Sequence, residues 1–169
     1  TGGNDGNACC PVFHSVRTYS TVTNTYTNVT SVGTPLVRGQ GYMIWTGDNM
    51  SQLTAPLIFD SRGTPNFGSF TFPVTAGGLG GGYNLVGNPY ACPINFNSVV
   101  TASGNLFANF LVLQENGSYA TNPNGGVIAP HQGFLCAATS SGNISFAEAQ
   151  KNITSIPNLI REIDPDNYL

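Results

Sequence analysis

The sequence predicts an all-β domain: an antiparallel β-sandwich, jelly-roll-like, braced by disulfides and carrying little helix. Three observations predict it. Charged residues make up only 8% of the chain, against a globular norm of roughly 25%. Polarity comes instead from Asn, Thr, Ser and Gly, with 21 Gly and 11 Pro among 169 residues. Thr, Val, Phe and Tyr suit a pleated, half-buried surface, while Asn, Gly and Pro suit turns. Second, short apolar runs are parted by turn signals every 8–12 residues or so, roughly the spacing of sandwich strands, with almost no helical periodicity. Third, the four cysteines, Cys9, Cys10, Cys92 and Cys136, show neither zinc-finger spacing nor a CxxC redox pair, which leaves two disulfides in an oxidising compartment. The length allows one domain with a substantial core, and 40% hydrophobic residues exclude a disordered chain.

Taken in order, residues 1–10 read as an N-terminal linker or arm. Asn4-Asp5-Gly6-Asn7 resembles half a calcium loop but lacks the later bidentate glutamate, so a plain turn is expected and no metal. Residues 11–154 form the predicted sandwich. Within it, 11–32 reads as two strands joined near Thr23-Asn24, 41–47 and 55–60 as short apolar strands, and 67–74 as a strand with Phe70 and Phe72 on one face. The run "TAGGLGGG" at 75–82 has no GK[ST] and no following helix pattern, so it reads as a flexible hairpin connection rather than a phosphate loop. "YNLVG" at 83–87 is a strand that Asn88-Pro89 stops, because the residue before proline is held extended and proline donates nothing to a ladder. A short helix is expected within 94–105. The strand at 106–114 turns through Glu115-Asn116-Gly117 into 118–121. Residues 122–126 read as loop, and 127–139 and 143–149 as the last strands, split by Ser140-Ser141-Gly142. The tail, 155–169, alternates Leu159, Arg161 and Ile163 and reads as a final strand, completing this domain or exchanged with a neighbour.

Four cysteines allow three connectivities. Adjacent cysteines rarely bond each other, since the short ring strains the peptide. Cys9 and Cys10 are therefore expected to reach separately toward Cys92 and Cys136, each loop contributing roughly 3–5 kcal/mol in the chain-entropy account. The alternative is that one of the pair crosslinks another subunit.

Net charge is −3, and the five basic residues, Arg17, Arg38, Arg62, Lys151 and Arg161, are spread along the chain. No basic patch exists to neutralise phosphates or an anionic bilayer, so neither nucleic acid nor an anionic membrane surface is expected as a partner. No apolar run approaches the roughly 18 residues of a membrane span. The start at Thr1 reads as that of a processed or excised segment.

Catalytic residue types are sparse. His14 and His131 are the only histidines, and no GxSxG elbow is present. The acids Asp5, Asp48, Asp60, Glu115, Glu148, Glu162, Asp164 and Asp166 fall mostly at turns or in the tail, with no two spaced as a glycosidase pair. No enzyme activity and no cofactor are expected. Lys151, the sole lysine, lies beside Asn152; an isopeptide bond is conceivable there, and a strand-end residue is the expected reading. Trp45, the sole tryptophan, and Tyr42 share "GYMIWTG" and are the candidate ligand-binding residues, because such rings stack on the apolar faces of sugars.

The ordered set "GQGYMIW", "FTFPV", "GGYNLVGNPYACPINF", "GSYAT" and "VIAPHQGFLCAA…ISFAEAQK" resembles the β-rich module found near the C-terminal ends of type IX-secreted surface proteins of Bacteroidota. The matches are Asn84, Leu85, Gly87, Asn88, Pro89 and Tyr90, then Ile128, Pro130, Gln132, Gly133 and Phe134. The likeness covers about residues 39–151. Tyr83 stands where that family has tryptophan and His131 where it has a small residue, and Cys92 and Cys136 are outside its pattern. The resemblance implies an extracellular or cell-surface location but no reaction. The function expected is a non-catalytic structural or adhesive module that associates with itself or with other surface proteins, as in a filament assembled by exchange of residues 11–22 or 155–169. The alternative is a carbohydrate-binding accessory module of a larger secreted enzyme, with glycans as partners.

Overall fold

The computed structural model describes residues 14–31, 33–44, 63–114 and 117–152. Every strand pairing in them is antiparallel. In chain order the elements are β1 (Val16–Ser20), β2 (Thr25–Asn28), β3 (Met43–Ile44), β4 (Phe70–Val74), β5 (Tyr83–Gly87), β6 (Ile94–Asn95) and α1 (Phe96–Ser103). They continue through β7 (Leu106–Leu113), β8 (Tyr119–Thr121), α2 (Pro123–Gly126), β9 (Val127–Ile128), β10 (Gly133–Ala138), β11 (Gly142–Phe146) and a 3-10 turn over Glu148–Gln150.

The central sheet has the order β5-β10-β7-β8. Alternation along its strands sends Val86, Phe110, Val112, Phe134 and Cys136 to one face, where all are buried. Against that face lie Val74, Ile144 and Phe146 of the β4–β11 ribbon and Phe96 and Val99 of α1, in one continuous apolar cluster. Phe96, Phe110 and Phe134 meet at its centre, with ring centroids 4.8 to 5.9 Å apart. Each such pair is worth about 0.5–1.5 kcal/mol beyond the area it buries.

The expected short helix is α1. Asn95 starts it, its Oδ1 accepting from Ser98 N at 3.2 Å, and Gly104 at φ 70 ends it with its N–H on the Val100 carbonyl. The two strands expected in 11–32 are β1 and β2, which pair Tyr19 with Tyr26. The expected 115–117 connection joins β7 to β8, with Leu113 opposite Tyr119; residues 115–116 lie outside the described residues, as do the arm at 1–10, Trp45, the strand expected at 55–60 and the tail at 155–169.

Three expectations are corrected. Residues 75–82 close no hairpin: β4 pairs with β11 and β5 with β10, so the glycine run carries the chain between sheets. It is also tied down. Gly82 N donates to Gly77 O at 2.7 Å, Leu79 N to Val22 O at 3.1 Å and Gly80 N to Thr21 O at 2.9 Å. That approach explains the composition, because a Cβ on Gly78 would stand 2.7 Å from the Thr21 carbonyl oxygen. Residues 122–126 are not plain loop, since Pro123–Gly126 makes one helical turn, a place where proline is tolerated because a first-turn N–H has no partner to lose. Residues 127–139 are two strands, β9 and β10. The turn between them holds His131 at φ 58 and pivots on Gln132, whose Oε1 accepts from Ala129 N at 3.1 Å.

Candidate functional site

The Asn88-Pro89-Tyr90 stretch lies where β5 ends. Asn88 is buried, and its amide nitrogen donates to Cys92 O at 2.9 Å and to Ala129 O at 2.8 Å. Its Oδ1 accepts from Tyr90 N at 3.0 Å, and its backbone N–H donates to Gln132 O at 3.0 Å. Asn88 thus binds the Ala129–Gln132 turn forty residues on, and the two sequence motifs are halves of one structural tie. Tyr90 is fully buried, its hydroxyl donating to Gly68 O at 2.6 Å. Asn84 follows the same pattern: Oδ1 accepts from Thr75 N and Thr21 Oγ1, while Nδ2 donates to Thr75 O and Gly82 O. Gln150 donates to Ser145 O and accepts from Ala147 N. These buried amides hold turns.

Cations gather around Tyr90. Lys151 Nζ sits 4.6 Å from its ring centre and pairs with Glu148 at 2.5 Å, and Glu148 also accepts from Gly68 N at 2.7 Å. The Lys151 ammonium beside it, helped by the Gly68 N–H, holds the Glu148 carboxyl below its usual range. Lys151 follows the 3-10 turn rather than ending a strand, and its backbone forms an isolated bridge to Ile94. The Arg38 guanidinium lies 4.4 Å from the Phe70 ring centre, with Nε and Nη2 buried and unpaired. The aromatic face offsets part of that cost.

The second candidate is a cleft on the other face of the central sheet. Leu85, Leu135 and Leu111 are paired across three adjacent strands, in a row that ends at Thr121 on β8. They alternate with core residues and so point away from the core. Over this row lie Tyr26 of β2, Tyr42, and Met43 and Ile44 of β3, with Leu113 and Tyr119 at the rim, enclosing a cleft of about 180 Å³. Tyr42 is half-buried and held by a hydrogen bond from Val37 N at 2.8 Å. Tyr26 packs against Tyr19 at 5.2 Å between ring centres. Burial, with the Tyr119 hydroxyl close by, pushes the Tyr26 phenol well above its usual range.

Of the candidate ligand residues, Tyr42 lines this cleft, and Trp45 lies outside the described residues. Tyr26 and Tyr119 were missed by the sequence reading. Their signal was present: both are tyrosines in short polar strands beside hairpin turns, where ring burial in a core is not required. Cys92 is half-buried and Cys136 fully buried, both as unbridged thiols, while Cys9 and Cys10 lie outside the described residues. Burial raises both thiols, Cys136 to about 12. His131 is exposed in its turn, and His14 lies two residues before β1. Among the described residues no three His, Cys, Asp or Glu side chains gather as metal ligands, and no helix is long and apolar enough to cross a membrane. No protein-family model, curated protein or solved structure matches this chain.

Proposed function

We propose that the chain is a non-catalytic extracellular module with a structural or adhesive role, of the kind it resembles in type IX-secreted surface proteins. One observation carries the reading: the buried polar side chains Asn84, Asn88 and Gln150 are committed to backbone groups of turns, so polarity inside this fold serves rigidity. The four-stranded sheet, with the ribbon and helix on its core face, supports a sandwich-like, jelly-roll-like slab. Disulfide bracing is part of the proposal, and geometry favours Cys92 as the anchor. It is partly exposed, whereas Cys136 has no exposed surface, and an N-terminal cysteine would have to enter the core to reach it.

Self-association follows from the edges. β8 ends the central sheet with one side open among the described residues, whereas the β5 edge is covered by Gly41 N on Leu85 O and Gly87 N on Gly39 O. β1 is the middle strand of its sheet, so donating 11–22 would break two pairings. Residues 155–169 are the better donor, adding beside β8 of a neighbour. Sedimentation velocity is expected to show an oligomer that persists on dilution and becomes a monomer when 155–169 are deleted. A full-length chain that is monomeric throughout would end the strand-exchange reading. A second reading, a carbohydrate-binding accessory module, is favoured by the tyrosine-walled cleft.

A further inference from the structure

We propose that the cleft formed by Tyr26, Tyr42 and Tyr119 over the leucine row binds one ring of a neutral sugar. This rests on the second reading above and gives it a site and a ligand class. Size restricts the occupant first. The cleft measures about 180 Å³, below the roughly 300–1,000 Å³ of pockets for drug-sized ligands, so it admits a single ring. It is too small for a helix, which is about 10–12 Å across.

Charge restricts it next. Among the described residues no Asp, Glu, Lys, Arg or His lines the cleft, so a uronate, sialate or phosphate would leave its solvation without gaining a partner there. Surface chemistry then separates a sugar from an acyl chain. The leucine floor accepts C–H faces, while Tyr26 and Tyr119 stay 39% and 44% exposed, leaving ring area and hydroxyls at the mouth. An alkyl chain would use the floor and leave the exposed tyrosine ring faces unused, whereas a pyranose, apolar on its face and polar at its rim, meets both floor and mouth. The walls are also set in advance: Val37 N anchors the Tyr42 hydroxyl, and Tyr19 backs Tyr26. Little conformational entropy remains to be lost on binding.

The test is calorimetric titration of the intact chain with cellopentaose, mannopentaose and chitotriose, with trigalacturonate as the acidic comparator and dodecanoate as the acyl one. A neutral oligosaccharide is expected to bind at millimolar or tighter affinity. Tyr119→Ala and Tyr26→Ala should each weaken it about tenfold or more, the equivalent of 1.4 kcal/mol, with Tyr119→Phe intermediate. Should a variant fail to fold, methyl shifts of Leu111 and Leu135 in the unaltered chain report the same contact. Neutral-sugar binding that ignores both alanine variants and both methyls would overturn the site and leave glycan binding standing. Silence toward every oligosaccharide would overturn both, and a preference for trigalacturonate or dodecanoate would overturn the ligand class.

Discussion

Asn88 does the work of several residues at once. Its side chain supplies two donors and one acceptor to three different backbone groups, at Cys92, Ala129 and Tyr90. Removing it strands two buried carbonyls and an N–H, each worth on the order of 1 kcal/mol when paired and more when left unmade. Asn88→Ala should therefore lower unfolding free energy by about 3 kcal/mol, read as a drop in urea midpoint at unchanged slope. Asn88→Asp keeps the acceptor and loses both donors, so it should be no better. A midpoint within experimental error of the unaltered chain would show that the tie is not needed. The tie also explains why proline follows: Pro89 has no N–H to satisfy at a point where the chain leaves the ladder.

Among the elements, the glycine crossover makes the sharpest contrast. Gly78 and Gly81 both sit at positive φ, 72° and 61°, but a Cβ on Gly78 meets the Thr21 carbonyl at 2.7 Å, whereas one on Gly81 meets nothing within 4 Å. Gly81→Ala should cost only the left-handed strain, about 1 kcal/mol. Gly78→Ala adds a clash with backbone that can be relieved only by lifting the β1–β2 turn, so its thermal midpoint should fall clearly further. Equal losses at the two positions would contradict the crossover geometry. Most elements were legible in the residues. Phe70 and Phe72 on one face revealed β4, Asn88-Pro89 marked the end of β5, and α1 lies within the stretch 94–105 where a short helix was expected. Partners were not legible, because strand pattern says which face is apolar and not which strand lies alongside. Glycines at 77–82 look the same in a hairpin as in a crossover. What was not legible between β9 and β10 is that the Gln132 side chain closes their turn.

For the molecule as a whole, scarcity of charge shapes the response to pH. Five basic and eight acidic residues leave few carboxylates to lose on acidification; Glu148 is held low by Lys151 at the surface, where such pairs contribute little. The alkaline side differs. Cys136 is raised from 9.0 to about 12 by burial, so between those values the unfolded chain releases a proton that the folded chain keeps. Stability is then fully present below pH 9 and falls as pH climbs toward 12, with a limiting slope of about 1.4 kcal/mol per pH unit for this one group. The Tyr26 phenol, partly desolvated and beside Tyr119, shifts in the same direction. Urea unfolding across pH 6 to 11 should be nearly flat to about 9 and decline beyond it, and Cys136→Ala should lessen the decline. A flat profile throughout would mean that Cys136 is not a buried thiol. The candidate cleft was half legible: Tyr42 came from a short aromatic strand, while Tyr26 and Tyr119 converge only because two separate sheets bring them together.

The last described residues are held by two backbone pairings. Lys151 bridges Ile94, and Asn152 N donates to Pro93 O at 2.8 Å, directly after the Asn88 tie. A pull on Asn152 would load these two pairings together with the Lys151 ammonium that rests on the buried Tyr90 ring. Force entering there would reach the Phe96, Phe110 and Phe134 centre only after those surface contacts had given way.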